Sequence, residues 1–145
     1  MSATTANNGH PALDFNHAMI YTRDVSRALG FYRDLLGFTV LEEFRAGQRL
    51  VYARLKVPAG AATIALHLLA PSETLSTGGV RLYFEVQELE EFCKGLEAAG
   101  AKFSKPPAMM PWGWKHAYID DPDGHEVSLY WAGSKRLEKA ATAKL

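Results

Sequence analysis

The feature that most constrains this chain is that its order of elements is read twice. FNHAMIYT alternates as a strand, and TRDVSRALGFYRDLLG follows with a helical period. In that helix Asp24 is the expected N-cap, Val25, Ala28, Leu29, Tyr32, Leu35 and Leu36 form the apolar stripe, and Gly37 is the stop. Three strands come next, FTVLEEF, RLVYARLKV and TIALHLLA, separated by AGQ and PAGAA turns. After the polar linker PSETLSTGG the order returns: VRLYFEV as a strand, ELEEFCKGLEAAG as a helix ending at Gly100, then AKFSK, KHAYID and HEVSLYW. Sliding one half over the other pairs His17 with Arg81, Asp24 with Glu88, Val25 with Leu89 and Gly37 with Gly100. The pattern predicts an α+β fold built from two tandem βαβββ modules by internal duplication.

The boundaries follow. Residues 1–14 read as a flexible N-terminal extension, 15–132 as a single domain (module one 15–70, linker 71–79, module two 80–132), and 133–145 as a tail of good helix formers. A chain of 145 residues is long enough for one real core but short for two independent ones. Formal net charge is zero, which removes the main electrostatic reason to expect nucleic acid or an anionic membrane as partner. Cys93 is the sole cysteine, so no internal disulfide forms and a reducing compartment fits. AATIALHLLA is too short to span a bilayer, and MSATTANNGHPALD has neither the basic flank nor the apolar core of a signal peptide. The expected setting is soluble and cytoplasmic.

DPDGHEVSLYW supplies the tightest local prediction. Pro122 presets a turn, Gly124 can take a positive φ, and KHAYIDD reverses into HEVSLYW as a hairpin. Alternation then divides the side chains of the strands into two sets. The helix-bearing face takes Ile64, Leu66, Leu68, Val80, Leu82, Phe84, Val86, Val127 and Leu129. The opposite face takes Phe15, His17, Met19, Tyr21, Ala65, His67, Arg81, Tyr83, Glu85, His116, Tyr118, Glu126, Ser128 and Tyr130, with Leu50, Tyr52 and Arg54 joining them. One wet face of an antiparallel sheet would account for any single member. As a set, rings interleaved with titratable groups point to a ligand cavity.

The individual residues have competing readings. His17 is either a metal ligand or a hydrogen-bonded pocket histidine. His67 interrupts an apolar strand and therefore needs a partner. His116 and Tyr118 suit a pocket role, while Arg81 and Glu126 could simply pair with each other. Trp112 and Trp114 in MMPWGWK form either an aromatic lid or ordinary loop packing. Cys93 reads as core, and His10 and His125 as surface residues. No Ser-His-Asp ordering, phosphate-cradling glycine loop or zinc-type cysteine pair is present.

HAMIYTRDVSRALGFYRDLLGF and AYIDDPDGHEVSLYW, set in a duplicated βαβββ unit, resemble the vicinal oxygen chelate superfamily of glyoxalase, bleomycin-resistance, fosfomycin-resistance and extradiol-dioxygenase proteins. PWGWKHAYIDDPDG looks most like its bleomycin-resistance branch. The resemblance implies a curved, half-barrel mixed sheet with helices outside, and frequent homodimers. It also implies a metal held by the first and last strands of each unit. Carried over, His17 takes a first-strand ligand place and His67 the matching last-strand place, whereas Arg81 and Ser128 take the two places of module two. An arginine cannot ligate and repels a divalent cation.

Two functions from different classes stay open. One is metal-free binding of a small aromatic or oxyanion-bearing molecule by Arg81, Tyr83, Trp112, Trp114, Tyr118, Ser128 and Tyr130, with drug sequestration as one version. The other is a metal-dependent lyase, isomerase or dioxygenase using His17 and His67, with Glu126 as a rescue ligand. Acid–base catalysis by His116 or Glu126 without metal is a third. The expected cofactor is thus none or one divalent metal ion. The expected partners are a small molecule and a second copy of the chain, with neither nucleic acid nor membrane.

Overall fold

The structure is a computed structural model, and it describes residues 9–133. In module one, strand β1 (Ala18–Thr22) leads into helix α1 (Val25–Leu29) and then into β2 (Thr39–Ala46), β3 (Arg49–Lys56) and β4 (Thr63–Leu68). Module two repeats the order with β5 (Leu82–Glu85), α2 (Leu89–Ala98), β6 (Phe103–Met109), β7 (Lys115–Asp120) and β8 (Glu126–Trp131). Each module forms a four-stranded mixed sheet, in the orders β1-β4-β3-β2 and β5-β8-β7-β6. In each, the first strand runs parallel to the last and every other neighbour is antiparallel. The α+β architecture expected from the duplication is observed. The helical expectation for the tail falls on residues 134–145, outside the described residues.

Helix α1 starts as its sequence dictates: the Asp24 side chain accepts a hydrogen bond from the Arg27 N–H at 3.1 Å. It does not run on as an α-helix. Gly30–Leu35 is π-helical, with the Leu36 N–H bonded to the Phe31 carbonyl. Phe31 and Tyr32 on this segment are both buried. Gly37 ends the segment at φ 83°, in the left-handed region where glycine carries no Cβ penalty. Helix α1 packs on β3 and β4, and α2 on β6 and β8.

The buried side chains join in one cluster that includes Leu29, Tyr32, Leu55 and Leu66 from module one and Leu89, Cys93, Val127 and Leu129 from module two. Cys93 is core, and burial pushes its thiol up to about 11, with Glu90 and Glu97 adding to the shift. Phe38 and Phe84 meet edge to face across the modules at 5.5 Å. Burying each large aliphatic member is worth about 1.5–3 kcal/mol.

Two expectations are corrected here. Leu50 belongs to the core and not to the polar face. The pairing jumps from Phe44↔Tyr52 to Arg45↔Leu50, leaving Val51 as an extra residue that flips Leu50 to the helix side. Strand β6 runs past Lys105 to Met109 and includes Pro106 and Pro107, tolerated because it is an edge strand with a register shift between Lys105 and Ala108. Among the described residues, no helix is long and apolar enough to cross a membrane.

The DPDG turn does more than reverse the chain. Asp121 is buried, and its carboxylate accepts from the Tyr32 hydroxyl at 2.9 Å and from the backbone N–H groups of Asp123 and His125 at 2.9 Å each. His125 Nδ1 lies 2.8 Å from the same carboxylate, so this histidine is a turn residue with a partner and not a free surface group. Asp123 takes the Thr22 hydroxyl and, at 3.1 Å, the Arg23 N–H. The turn of module two is thereby latched onto the β1–α1 corner of module one.

Candidate functional site

The sheet face opposite α2 carries a continuous group of side chains. His116, buried on β7, is its centre. Its ring stacks with Tyr118 (6.0 Å between centroids, 10° between planes), Tyr130 (5.6 Å, 21°) and Trp114 (6.4 Å, 20°), while Trp114 stacks on Tyr130 (5.4 Å, 10°). Four rings therefore lie nearly parallel across β7, β8 and the β6–β7 turn. Register explains the array: His116 stands opposite Tyr130, and Tyr118 opposite Ser128. Tyr83 and Trp112 stand edge-on to His116 at 6.1 Å and 5.7 Å. Both remain substantially exposed, at 50% and 42%. Trp112 reaches its position because the Met110–Trp114 turn is closed by two backbone hydrogen bonds.

The polar groups are fixed as follows. Ser128 is fully buried, and its Oγ lies 3.1 Å from His116 Nδ1. His116 Nε2 and Trp114 Nε1 are buried without a partner among the described residues. Burial holds the His116 imidazole below its ordinary value, so it is neutral near pH 7. Arg81 bonds Glu126 at 3.2 Å and the Tyr83 hydroxyl at 3.3 Å, and its guanidinium lies 5.5 Å from the Tyr118 ring centre. All seven residues expected to bind ligand (Arg81, Tyr83, Trp112, Trp114, Tyr118, Ser128 and Tyr130) thus gather on one face, together with His116 and Glu126. The two acid–base candidates do not converge: His116 faces Tyr130, four residues beyond Glu126 along β8, a rise of about 13 Å.

Module one carries a smaller version. His67 packs against Tyr21 (5.6 Å) and Tyr52 (6.4 Å), and its Nδ1 meets the Leu68 carbonyl at 2.7 Å. The duplication inverts a pair here, since Tyr52 opposes His67 just as His116 opposes Tyr130. His17 lies just before β1, with Nδ1 2.6 Å from the Asn16 side chain.

The donor set does not fit a four-ligand metal centre. His67 stands opposite Tyr21, four residues past His17 and so about 13 Å further along the parallel pair. Ala18 pairs with Ile64 just as Leu82 pairs with Val127, so the module-one counterpart of Ser128 is Ala65, not His67. This corrects the place assigned to His67 from sequence. The four equivalent positions then hold His17, Ala65, Arg81 and Ser128, of which only His17 is a good divalent-metal ligand. Asp121, Asp123 and His125 do bring ligand atoms within 4.8 Å of one another. Their oxygens are occupied by the latch donors described above.

What sequence reasoning missed was Lys105, whose Nζ lies 5.6 Å from the Tyr118 ring centre. Alternation could not have found it, because β6 is irregular between Phe103 and Ala108.

The model of the Glyoxalase/Bleomycin resistance protein/Dioxygenase superfamily matches residues 14–129. A protein of Synechocystis sp. named a probable lactoylglutathione lyase is 27% identical over 126 residues, covering 83% of this chain and 96% of its own. A crystal structure of a member of the same superfamily from Sphaerobacter thermophilus DSM 20745 is 29% identical with a TM-score of 0.66, covering 82% of this chain and 98% of that one. TnmS3, an antibiotic binding protein from Streptomyces sp. CB03234, has a TM-score of 0.68 at 22% identity, covering 84% and 98%, a likeness of fold.

Proposed function

The chain belongs to the Glyoxalase/Bleomycin resistance protein/Dioxygenase superfamily, and on that premise we propose that it binds a small aromatic or oxyanion-bearing molecule on the module-two face without a standard metal centre. The observation that carries the reading is the near-parallel array of Trp114, Tyr130, His116 and Tyr118, walled by the exposed edges of Tyr83 and Trp112. Planar rings held in register form a stacking surface with little rotamer entropy left to lose. The unpartnered nitrogens of His116 and Trp114 are a standing cost that a polar group of a ligand could offset. Sequestration of a drug-like compound is one version, in keeping with the antibiotic-binding structural neighbour.

A second copy of the chain is part of this reading. Met19, Tyr21 and Phe44 on module one and Tyr83, Met109 and Trp112 on module two are large apolar side chains left exposed. The ring contacts of the two faces form separate groups, so closing a cleft over either one calls for a partner. Sedimentation should give a dimer, and a monomer at tens of micromolar would remove this element.

Tryptophan fluorescence tests the main reading. Naphthalene-2-methanol in the presence of EDTA should quench emission saturably after correction for probe absorption, and Trp112→Ala should weaken it. Quenching that appears only on adding divalent metal would refute it. The competing reading, a metal-dependent lyase, draws on the name of the Synechocystis relative. It calls for near-stoichiometric metal in protein purified without chelator, lost in His17→Ala.

A further inference from the structure

We propose that the ligand of this face is an aromatic carboxylate, and that Glu126 is the internal occupant of its anion subsite, which the ligand displaces from Arg81. The inference rests on the aromatic-binding reading above and adds the charge of the ligand and the residue that competes with it.

Arg81 has a stronger grip available than the one it uses. A guanidinium presents five N–H groups in a planar fork that matches a carboxylate through two parallel bonds. Among the described residues it uses one nitrogen on Glu126 Oε2 and the other on the Tyr83 hydroxyl. The Glu126 contact therefore joins one nitrogen to one oxygen at 3.2 Å, not fork to fork. Both side chains are partly exposed, at 45% and 35%, so water screens the pair and little holds Glu126 in place.

Space and field both favour an incoming anion. Beside the pair is a cavity of about 340 Å³ lined by Thr77, Gly78, Gly79 and Val80. Arg81 and Glu126 themselves line this cavity, and no heavy atom lies within 4 Å of where a Cβ would stand on Gly78 or Gly79, so that wall is uncrowded. Lys105 and Arg81 both lie over the Tyr118 ring, so two cations border the ring array beside the Glu126 carboxylate, which Asp120 faces across β7 and β8. Tyr83 joins the subsite to the ring array, with its hydroxyl on Arg81 and its ring against His116 and Tyr130. A carboxylate attached directly to an aromatic ring would reach both. Glu126 then sets a threshold: a ligand without an anion leaves the internal pair intact and gains nothing from Arg81.

The test compares 1-naphthoate with naphthalene-2-methanol by titration calorimetry on the full chain, with EDTA and at low salt. Naphthoate should bind about tenfold more tightly. Glu126→Gln should tighten naphthoate several-fold more than it changes the alcohol, and Arg81→Gln should bring the two dissociation constants together. Raising salt should weaken naphthoate selectively, a measurement that needs no variant. Equal binding of the two probes, or a Glu126→Gln effect shared by both, overturns the inference and leaves aromatic binding standing. Failure of both probes to bind overturns the two together.

Discussion

Replacing Tyr32 by phenylalanine removes one oxygen and leaves the ring in its place. The ring is fully buried, edge-on to Phe31 at 4.9 Å and to Phe38 at 5.8 Å, and phenylalanine can keep both contacts. The hydroxyl donates to Asp121 at 2.9 Å. Burial, and after it the neighbouring Asp121 carboxylate, pushes the phenol far above its ordinary value, so it stays a donor wherever the protein is folded. Asp121 would keep the His125 ring and two backbone N–H groups, so the carboxylate is weakened and not orphaned. A hydrogen bond to a charged group contributes about 1.5–3 kcal/mol, and that is the expected loss. Urea unfolding should show the unfolding free energy falling by that amount, read as a lower midpoint at an unchanged slope. Tyr52→Phe is the control, because its hydroxyl bonds the exposed Glu42 at 3.1 Å; it should change stability by no more than about 0.5 kcal/mol. If the two variants cost the same, the latch does not hold the modules together and the reasoning fails.

Asp24→Ala should cost about 0.5–2 kcal/mol by freeing the Arg27 N–H, measurable in the same assay; no loss would mean another group caps α1. Gly124→Ala forces a Cβ onto a residue at φ 95° and should cost about 1–2 kcal/mol, with unaltered stability arguing against that turn geometry. For His116 the sign is set by its lowered folded-state value: the unfolded state takes the proton first as pH falls. Its contribution is complete above the unfolded value of about 6.5 and is lost progressively below it. His116→Phe should therefore flatten the fall in stability between pH 7 and pH 5, and an identical slope would count against burial of a neutral ring.

Much of this was readable in the chain, and the failures have physical causes. The duplicated order, the Asp24 cap and the KHAYID–HEVSLYW hairpin follow from local periodicity and turn chemistry, which is why strand facing on β7 and β8 came out correctly. Leu50 was misassigned because a bulge at Val51 breaks the period of two, and nothing in RLVYARLKV announces it. Phe31 is absent from the apolar stripe read off the sequence, where it falls at the margin of a 3.6-residue period, and the π turn is visible only through its hydrogen bonds. His67 was given the wrong place because parallel strands set their offset across the sheet, and a sequence carries no record of that register. Asp121 read as half of a turn motif, since its partner Tyr32 is 89 residues away.

That separation has a consequence for how the molecule comes together. Among the described residues, each sheet pairs strands of one half only. The latch contacts must instead bridge long stretches of chain, 89 residues for Tyr32–Asp121 and 101 for Thr22–Asp123, and loop-closure entropy delays such contacts. On that argument the corner of β1 and α1 should be among the last parts of the molecule to order, together with the core that both modules share.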